Sequence, residues 1–131
     1  WMLAARQLGV TEVLFVADGY ILEANRSNVF AVIDGELWTP PLDGRQLAGI
    51  TRGAMIQAGE RAGLKIRQEP LAADAPFQEM YLSSTLKQLA PVVRLNGREG
   101  PGAGPVGGAL LRAFRDLVSS ETGQDISGTL L

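Results

Sequence analysis

The chain has 131 residues, 46% hydrophobic and 20% charged, with a formal net charge of −2. That suits one folded domain with its own core and gives no electrostatic reason for a nucleic-acid or anionic-membrane partner. It contains no Cys and no His, which excludes disulfides, thiol nucleophiles, imidazole metal sites and the Ser-His-Asp triad within it.

Residues Trp1 to Leu8 carry apolar groups at helical spacing, and Gly9 stops the predicted helix. The start, WMLAARQLGVTEVL, has neither the charged front nor the small-residue cleavage site of a secretory signal. It opens in mid-pattern without an initiator Met, as a fragment would. The period then changes. Glu12 to Ala17 reads as a strand, followed by Asp18-Gly19 and Tyr20-Ile21-Leu22. Val29 to Ile33, Asp34-Gly35 and Glu36-Leu37-Trp38 repeat the device. Apolar runs flanking Asp-Gly are a strong hairpin signal, so this section is expected to form an antiparallel meander.

Thr39-Pro40-Pro41 closes the meander, because Pro cannot donate to a ladder. After a loop from Leu42 to Gly49, Thr51 stands as the N-cap or first-turn residue of a helix running to about Ala62 and stopped by Gly63. Met55, Ile56, Gly59 and Ala62 form its expected buried face. Leu64 to Leu71 is a predicted strand, Asp74 to Gln78 a short turn or helical segment, Glu79 to Ser83 a further strand leading into Ser84-Thr85. Pro91 to Leu95 with Asn96-Gly97 predicts another strand and turn. Gly97 to Gly108 is expected to be an ordered surface loop before a last helix, Pro105 to Ser120, with Leu110, Leu111, Phe114 and Leu117 on its apolar face. Gln124 to Leu131 carries no strong pattern. No apolar stretch is long enough to span a membrane, and residence in the cytoplasm is expected.

Acid–base chemistry falls to carboxylates, two tyrosines, and the lysines Lys65 and Lys87, a sparse repertoire that points to a borrowed cofactor or a binding role. Polar groups crowd between two apolar strands at Glu23-Ala24-Asn25-Arg26-Ser27-Asn28. Gly49-Ile50-Thr51-Arg52 places a hydroxyl where a helix begins, and such ends present N–H groups and positive partial charge to an anion. Ser83-Ser84-Thr85 offers hydroxyls at a strand end. Taken singly, each also reads as a polar loop, an ordinary N-cap or an ST-turn. Asn25-Arg26-Ser27 matches a glycosylation sequon by accident, given the missing secretory signal. Gly102 to Gly107 fits the spacing GxGxxG, but no strand runs directly into it and no acidic residue follows at the right distance, so dinucleotide binding is rejected.

In combination, the pieces resemble the class IV pyridoxal-phosphate enzymes, the branched-chain and D-amino-acid aminotransferases. The resemblance rests on Glu23, on Ser27-Asn28-Val29-Phe30, on DGELWTPPLDGRQLAGITR from Asp34 to Arg52, on LSSTLKQLAPV from Leu82 to Val92, and on Gly104-Pro105-Val106. Asn25 departs from it, since the family prefers a smaller residue there. The resemblance implies an α/β fold: a curled, antiparallel-rich sheet, or pseudo-barrel, flanked by helices. Residues 1–120 would be the larger, cofactor-binding domain and 121–131 a tail.

It implies pyridoxal 5′-phosphate as cofactor, with Glu23 at the pyridine nitrogen. Ile50, Thr51 and Thr85 would hold the phosphate, with Ser84 and Asn28 lining the cofactor site and Arg26 and Asn28 bracing its loop. Backbone N–H groups of Leu86 and Lys87 would meet the substrate carboxylate. No catalytic residue is assigned in this chain: neither Lys65 nor Lys87 matches the family's Schiff-base lysine, which is expected upstream of Trp1 along with the smaller N-terminal domain. The implied reaction is transamination between an amino acid and a 2-oxo acid by a homodimer. The alternatives are an aminodeoxychorismate lyase and, in another class, a non-catalytic binding or structural module.

Overall fold

The computed structural model describes residues 12–42, 49–85, 88–95 and 98–122. The expected helix at 1–8, most of the 42–49 loop, Leu86, Lys87, the Asn96-Gly97 turn and the 124–131 tail lie outside the described residues.

Strands β1 (Leu14–Ala17) and β2 (Tyr20–Ala24) form the first hairpin, and β3 (Asn28–Ile33) and β4 (Glu36–Thr39) the second. Both turn as the Asp-Gly pairs predict. Asp18 and Gly19 have φ of 53° and 83°, Asp34 and Gly35 of 52° and 74°. Two successive left-handed residues make the turn whose twist matches the flanking strands. Helix α1 (Ile50–Arg61) follows, then β5 (Ile66–Gln68), β6 (Leu71–Ala72), β7 (Glu79–Ser84), β8 (Gln88–Pro91), β9 (Arg94–Leu95), β10 (Arg98–Glu99) and helix α2 (Pro105–Thr122).

The hairpins do not continue into one meander. β1, β2 and β6 form one sheet, while β5-β4-β3-β7-β8 form another, antiparallel except for the parallel pair β4–β5; β9 and β10 pair separately. The chain changes sheets at Asn25-Arg26, where Ala24 and Ser27 exchange backbone hydrogen bonds of 2.8 and 3.5 Å. The strand expected over Leu64–Leu71 is likewise two strands in two sheets, β5 and β6. Pro70 lies between them and has no N–H to continue a ladder. The strand expected over Pro91–Leu95 is divided between β8 and β9. No closed barrel forms from the described strands.

The five-stranded sheet is the middle layer. Phe30, Val32, Leu37, Tyr81 and Leu89 face α1 and α2, meeting Met55, Ile56, Ala58, Leu110, Phe114 and Leu117. Val29, Ala31 and Met80 face the smaller sheet, meeting Ile21 and Leu71. β3 is therefore buried on both sides, which is why NVFAVI reads as a nearly unbroken apolar run. Complete burial of one such side chain, Phe30 for example, contributes about 1.5–3 kcal/mol. α1 buries Thr51, Arg52, Met55, Ile56, Ala58 and Gly59. Ala62, expected on that face, is exposed at the helix end, and Gly63 turns the chain at φ 85°.

α2 is fixed by an internal anion. The buried Glu79 carboxylate of β7 accepts hydrogen bonds from Val106 N (3.2 Å), Gly107 N (2.9 Å) and Tyr81 OH (2.5 Å), and Gly104 N donates to Tyr81 Oη (2.9 Å). A Cβ on Gly107 would stand 2.0 Å from Tyr81 Cζ, and one on Gly104 2.5 Å from Glu79 Cδ. Gly104 and Gly107 of the GxGxxG-like run are thus placed for Glu79 and Tyr81, which already occupy the helix start. Among the described residues no helix is long and apolar enough to cross a membrane.

Candidate functional site

A cavity of about 220 Å³ opens where the β2–β3 loop, the start of α1 and the end of β7 meet. Segments 23–28, 49–51 and 83–85 line it. All six residues singled out for the cofactor, Glu23, Asn28, Ile50, Thr51, Ser84 and Thr85, are among them.

Glu23 reaches the cavity through an irregularity in β2. Phe15 pairs with Glu23 and the next residue, Val16, pairs with Ile21, so Leu22 is supernumerary. Strict alternation would put Glu23 on the face of Ile21, whose side chain is in the core. A β-bulge inserts one residue and re-aims the side chain beyond it. Glu23 is half-buried at the cavity instead.

The loop after β2 is held from outside by a residue that no sequence motif singles out. Glu12 accepts hydrogen bonds from Arg26 N (3.1 Å) and Ser27 Oγ (3.0 Å). Asn25, the departure from the family pattern, bonds Val13 in both directions. Its N–H donates to Val13 O at 3.0 Å, and its Oδ1 accepts from Val13 N at 3.0 Å. The larger side chain thus ties the loop to the chain entering β1. Glu12 lies a whole hairpin away in sequence and falls within a predicted strand, so nothing local marks it.

Gly49 precedes α1 in an extended conformation and supplies no side-chain cap. Asn28 Oδ1 lies against it: a Cβ on Gly49 would be 2.3 Å from that oxygen. Residues 50 to 52 have N–H groups with no acceptor in a preceding helical turn, and Gly53 N makes the bond to Gly49 O at 3.2 Å. Ile50 is 89% exposed, so it offers the cavity its backbone more than a packed side chain. The buried Thr51 and the turn residue Thr85 bring their hydroxyls to 3.4 Å of each other. Arg52 does not line the cavity. It is buried and donates from Nη2 to Pro40 O (3.0 Å) and Gln68 Oε1 (3.2 Å), clamping the first turn of α1 to the ends of β4 and β5. Burial lowers its pKa from the usual guanidinium value.

Ser83 ends a predicted strand and is not among the residues that the sequence assigns to the cofactor. It lines the cavity, is 1% exposed, and its Oγ has no hydrogen-bond partner among the described residues. Leu86 and Lys87 lie outside the described residues. Lys65 is exposed just before β5 and does not line the cavity. The arrangement offers hydroxyls and helix-start N–H groups suited to an anion, with a carboxylate suited to a cationic or protonated group in the same hollow.

Residues 1–95 match the family model for amino-transferase class IV. The chain belongs to that family. Among relatives of this class IV chain, the branched-chain-amino-acid aminotransferase of Escherichia coli K12 is 35% identical over 123 residues, covering 90% of the chain and 40% of the relative. The D-alanine aminotransferase of Bacillus licheniformis is 28% identical, covering 93% and 44%. A hypothetical aminotransferase from Mycobacterium tuberculosis, solved in its PLP-bound form, superposes with a TM-score of 0.79 at 29% identity, covering 90% and 43%. The class IV chain thus spans about 40% of the length of the curated relatives it matches first.

Proposed function

We propose that this class IV chain supplies the cofactor-holding part of a pyridoxal-phosphate-dependent aminotransferase acting on branched-chain or D-amino acids. The observation that carries the reading is the meeting of Glu23, Thr51 and Thr85 around one cavity, with the two hydroxyls 3.4 Å apart at the start of a helix. The names of the E. coli, B. licheniformis and M. tuberculosis relatives support it.

The donor set fits the cofactor. Thr51 and Thr85 hydroxyls, with N–H groups of Ile50 and Thr51, would hold its phosphate at the positive helix end. Asn28 and Ser84 would complete the cradle. Glu23 would pair with the pyridine nitrogen and keep it protonated, because an opposite charge at contact favours the charged form. When bound, the cofactor supplies an electron sink for the pair released at the substrate α-carbon. N–H groups of Leu86 and Lys87 would orient the substrate carboxylate. The lysine that carries the cofactor and moves the α-proton is proposed to come from sequence that relatives have and these 131 residues do not span, as is the smaller domain. A cytoplasmic homodimer is the proposed setting.

The test is transfer of ¹⁵N from a branched-chain L-amino acid or D-alanine to a 2-oxo acid by the full-length protein with pyridoxal phosphate. Labelled product is expected. Glu23→Gln should retain the cofactor and slow transfer on the order of 10²-fold, the scale for losing one preorganised electrostatic partner. Bound cofactor without label transfer would overturn the aminotransferase reading, and pyruvate release from aminodeoxychorismate would replace it with the lyase.

A further inference from the structure

We infer that Ser83 is a further ligand-binding residue of this cavity, its hydroxyl completed only by the phosphate group of a bound molecule. The inference rests on the proposed function, and it concerns a residue to which that reading gives no role.

The strand environment makes Ser83 unusual. β7 alternates, so Ser83 shares the face of Tyr81 and looks toward the helix layer, whereas Met80 looks toward the small sheet. Directly across the ladder is Asn28, whose Oδ1 lies against Gly49 at the start of α1. Two residues onward is Thr85, whose hydroxyl meets Thr51. Register and chain connectivity therefore place Ser83 at the hydroxyl-rich, helix-start part of the cavity, not with Glu23 at the β2 bulge.

A serine at such a place is costly without a partner. Its Oγ is shut off from solvent, and no described group accepts or donates to it. Buried hydroxyls in native proteins are nearly always satisfied, and alanine would fill the position without stranding a polar atom. The other orphaned atoms among the described residues, Trp38 Nε1 and Gln88 Nε2, do not line the cavity. Ser83 does, beside two hydroxyls and the start of a helix. A phosphate oxygen entering there supplies the missing acceptor.

The test compares pyridoxamine 5′-phosphate with pyridoxamine, two probes that differ by the phosphate and carry no aldehyde to condense with surface lysines. Calorimetric titration of the wild type and of Ser83→Ala gives affinities, and thermal unfolding without ligand gives stability. Ser83→Ala is expected to weaken pyridoxamine 5′-phosphate about tenfold. It should leave pyridoxamine unchanged and raise the ligand-free Tm, because the stranded hydroxyl is gone. Ser83→Cys, similar in size with a weak donor, should fall between the two.

Unchanged affinity for the phosphorylated probe in Ser83→Ala overturns the inference while leaving the proposed function standing. Equal losses for both probes, or a lower ligand-free Tm, assign Ser83 a structural role and overturn it as well. Failure of the wild type to bind either probe overturns the proposed function, and the inference with it.

Discussion

At the scale of single residues, the site depends on close approaches that a side chain would block. Gly49 is the clearest case, because a Cβ there would fall 2.3 Å from Asn28 Oδ1. Gly49→Ala is expected to destabilise by about 1–3 kcal/mol, the usual range for overpacking, and to weaken pyridoxal phosphate by displacing the start of α1. Chemical denaturation and titration with the cofactor check the two effects. Thr51→Val keeps the shape and removes the hydroxyl, so it should lower cofactor affinity by roughly tenfold with a smaller change in stability. Glu23, Thr51 and Thr85 are legible in the sequence because each sits in a short run with a recognisable order. Glu12 is not, because it acts through the fold from beyond β1. Ser83 is visible only as one hydroxyl of the run Ser83-Ser84-Thr85, and its lack of a partner, which sets it apart from its neighbours, leaves no mark on spacing or composition.

At the scale of elements, the Glu79–Tyr81 pair determines how α2 attaches. Burial, then the hydrogen bond to Glu79, pushes the Tyr81 phenol up from 10.0 to about 12. Because its folded pKa is the higher one, this group's contribution to stability is complete below pH 10 and is lost as pH rises through 12. Denaturant unfolding between those limits should show stability falling, and Tyr81→Phe should flatten that part of the profile. Gly107→Ala places a methyl within the Tyr81 ring and should destabilise more than an exposed helix substitution, as thermal unfolding would show. The two helices and both Asp-Gly hairpins are readable, since helical period and left-handed turn residues are local signals. The split of Leu64–Leu71 into β5 and β6 is carried by one residue, Pro70, whose effect on pairing is local. The choice of partner sheet for each half is not.

For the molecule as a whole, the middle sheet is covered by helices on one face and by a smaller sheet on the other. The cavity lies where these layers part, so its lining comes from three separate stretches of chain. A ligand spanning them binds only the folded form. Saturation with pyridoxamine 5′-phosphate at about 100 times its Kd should therefore add about 2.7 kcal/mol to unfolding. Lys65→Arg should leave that gain unchanged, because Lys65 is exposed and away from the cavity. The α/β class can be read from the sequence, as can the six residues Glu23, Asn28, Ile50, Thr51, Ser84 and Thr85 that come to line one cavity. The division of the meander between two sheets cannot, because strand order is decided by which faces find cover, and that involves residues from both ends of the chain.

The extra residue in β2 limits how this site can vary. Side chains along a strand obey an even–odd rule, and Leu22 breaks it once, just ahead of Glu23. Absorbing Leu22 into a regular ladder would turn the acid toward the hydrophobic layer containing Ile21, without altering any atom of the carboxylate itself, whereas deleting Leu22 would make Glu23 the direct neighbour of Ile21 and keep the two on opposite faces. Loss of the bulge at constant length would therefore do what the harshest point substitution does, while a homologous chain one residue shorter here would bring its negative charge to the cavity with no bulge at all.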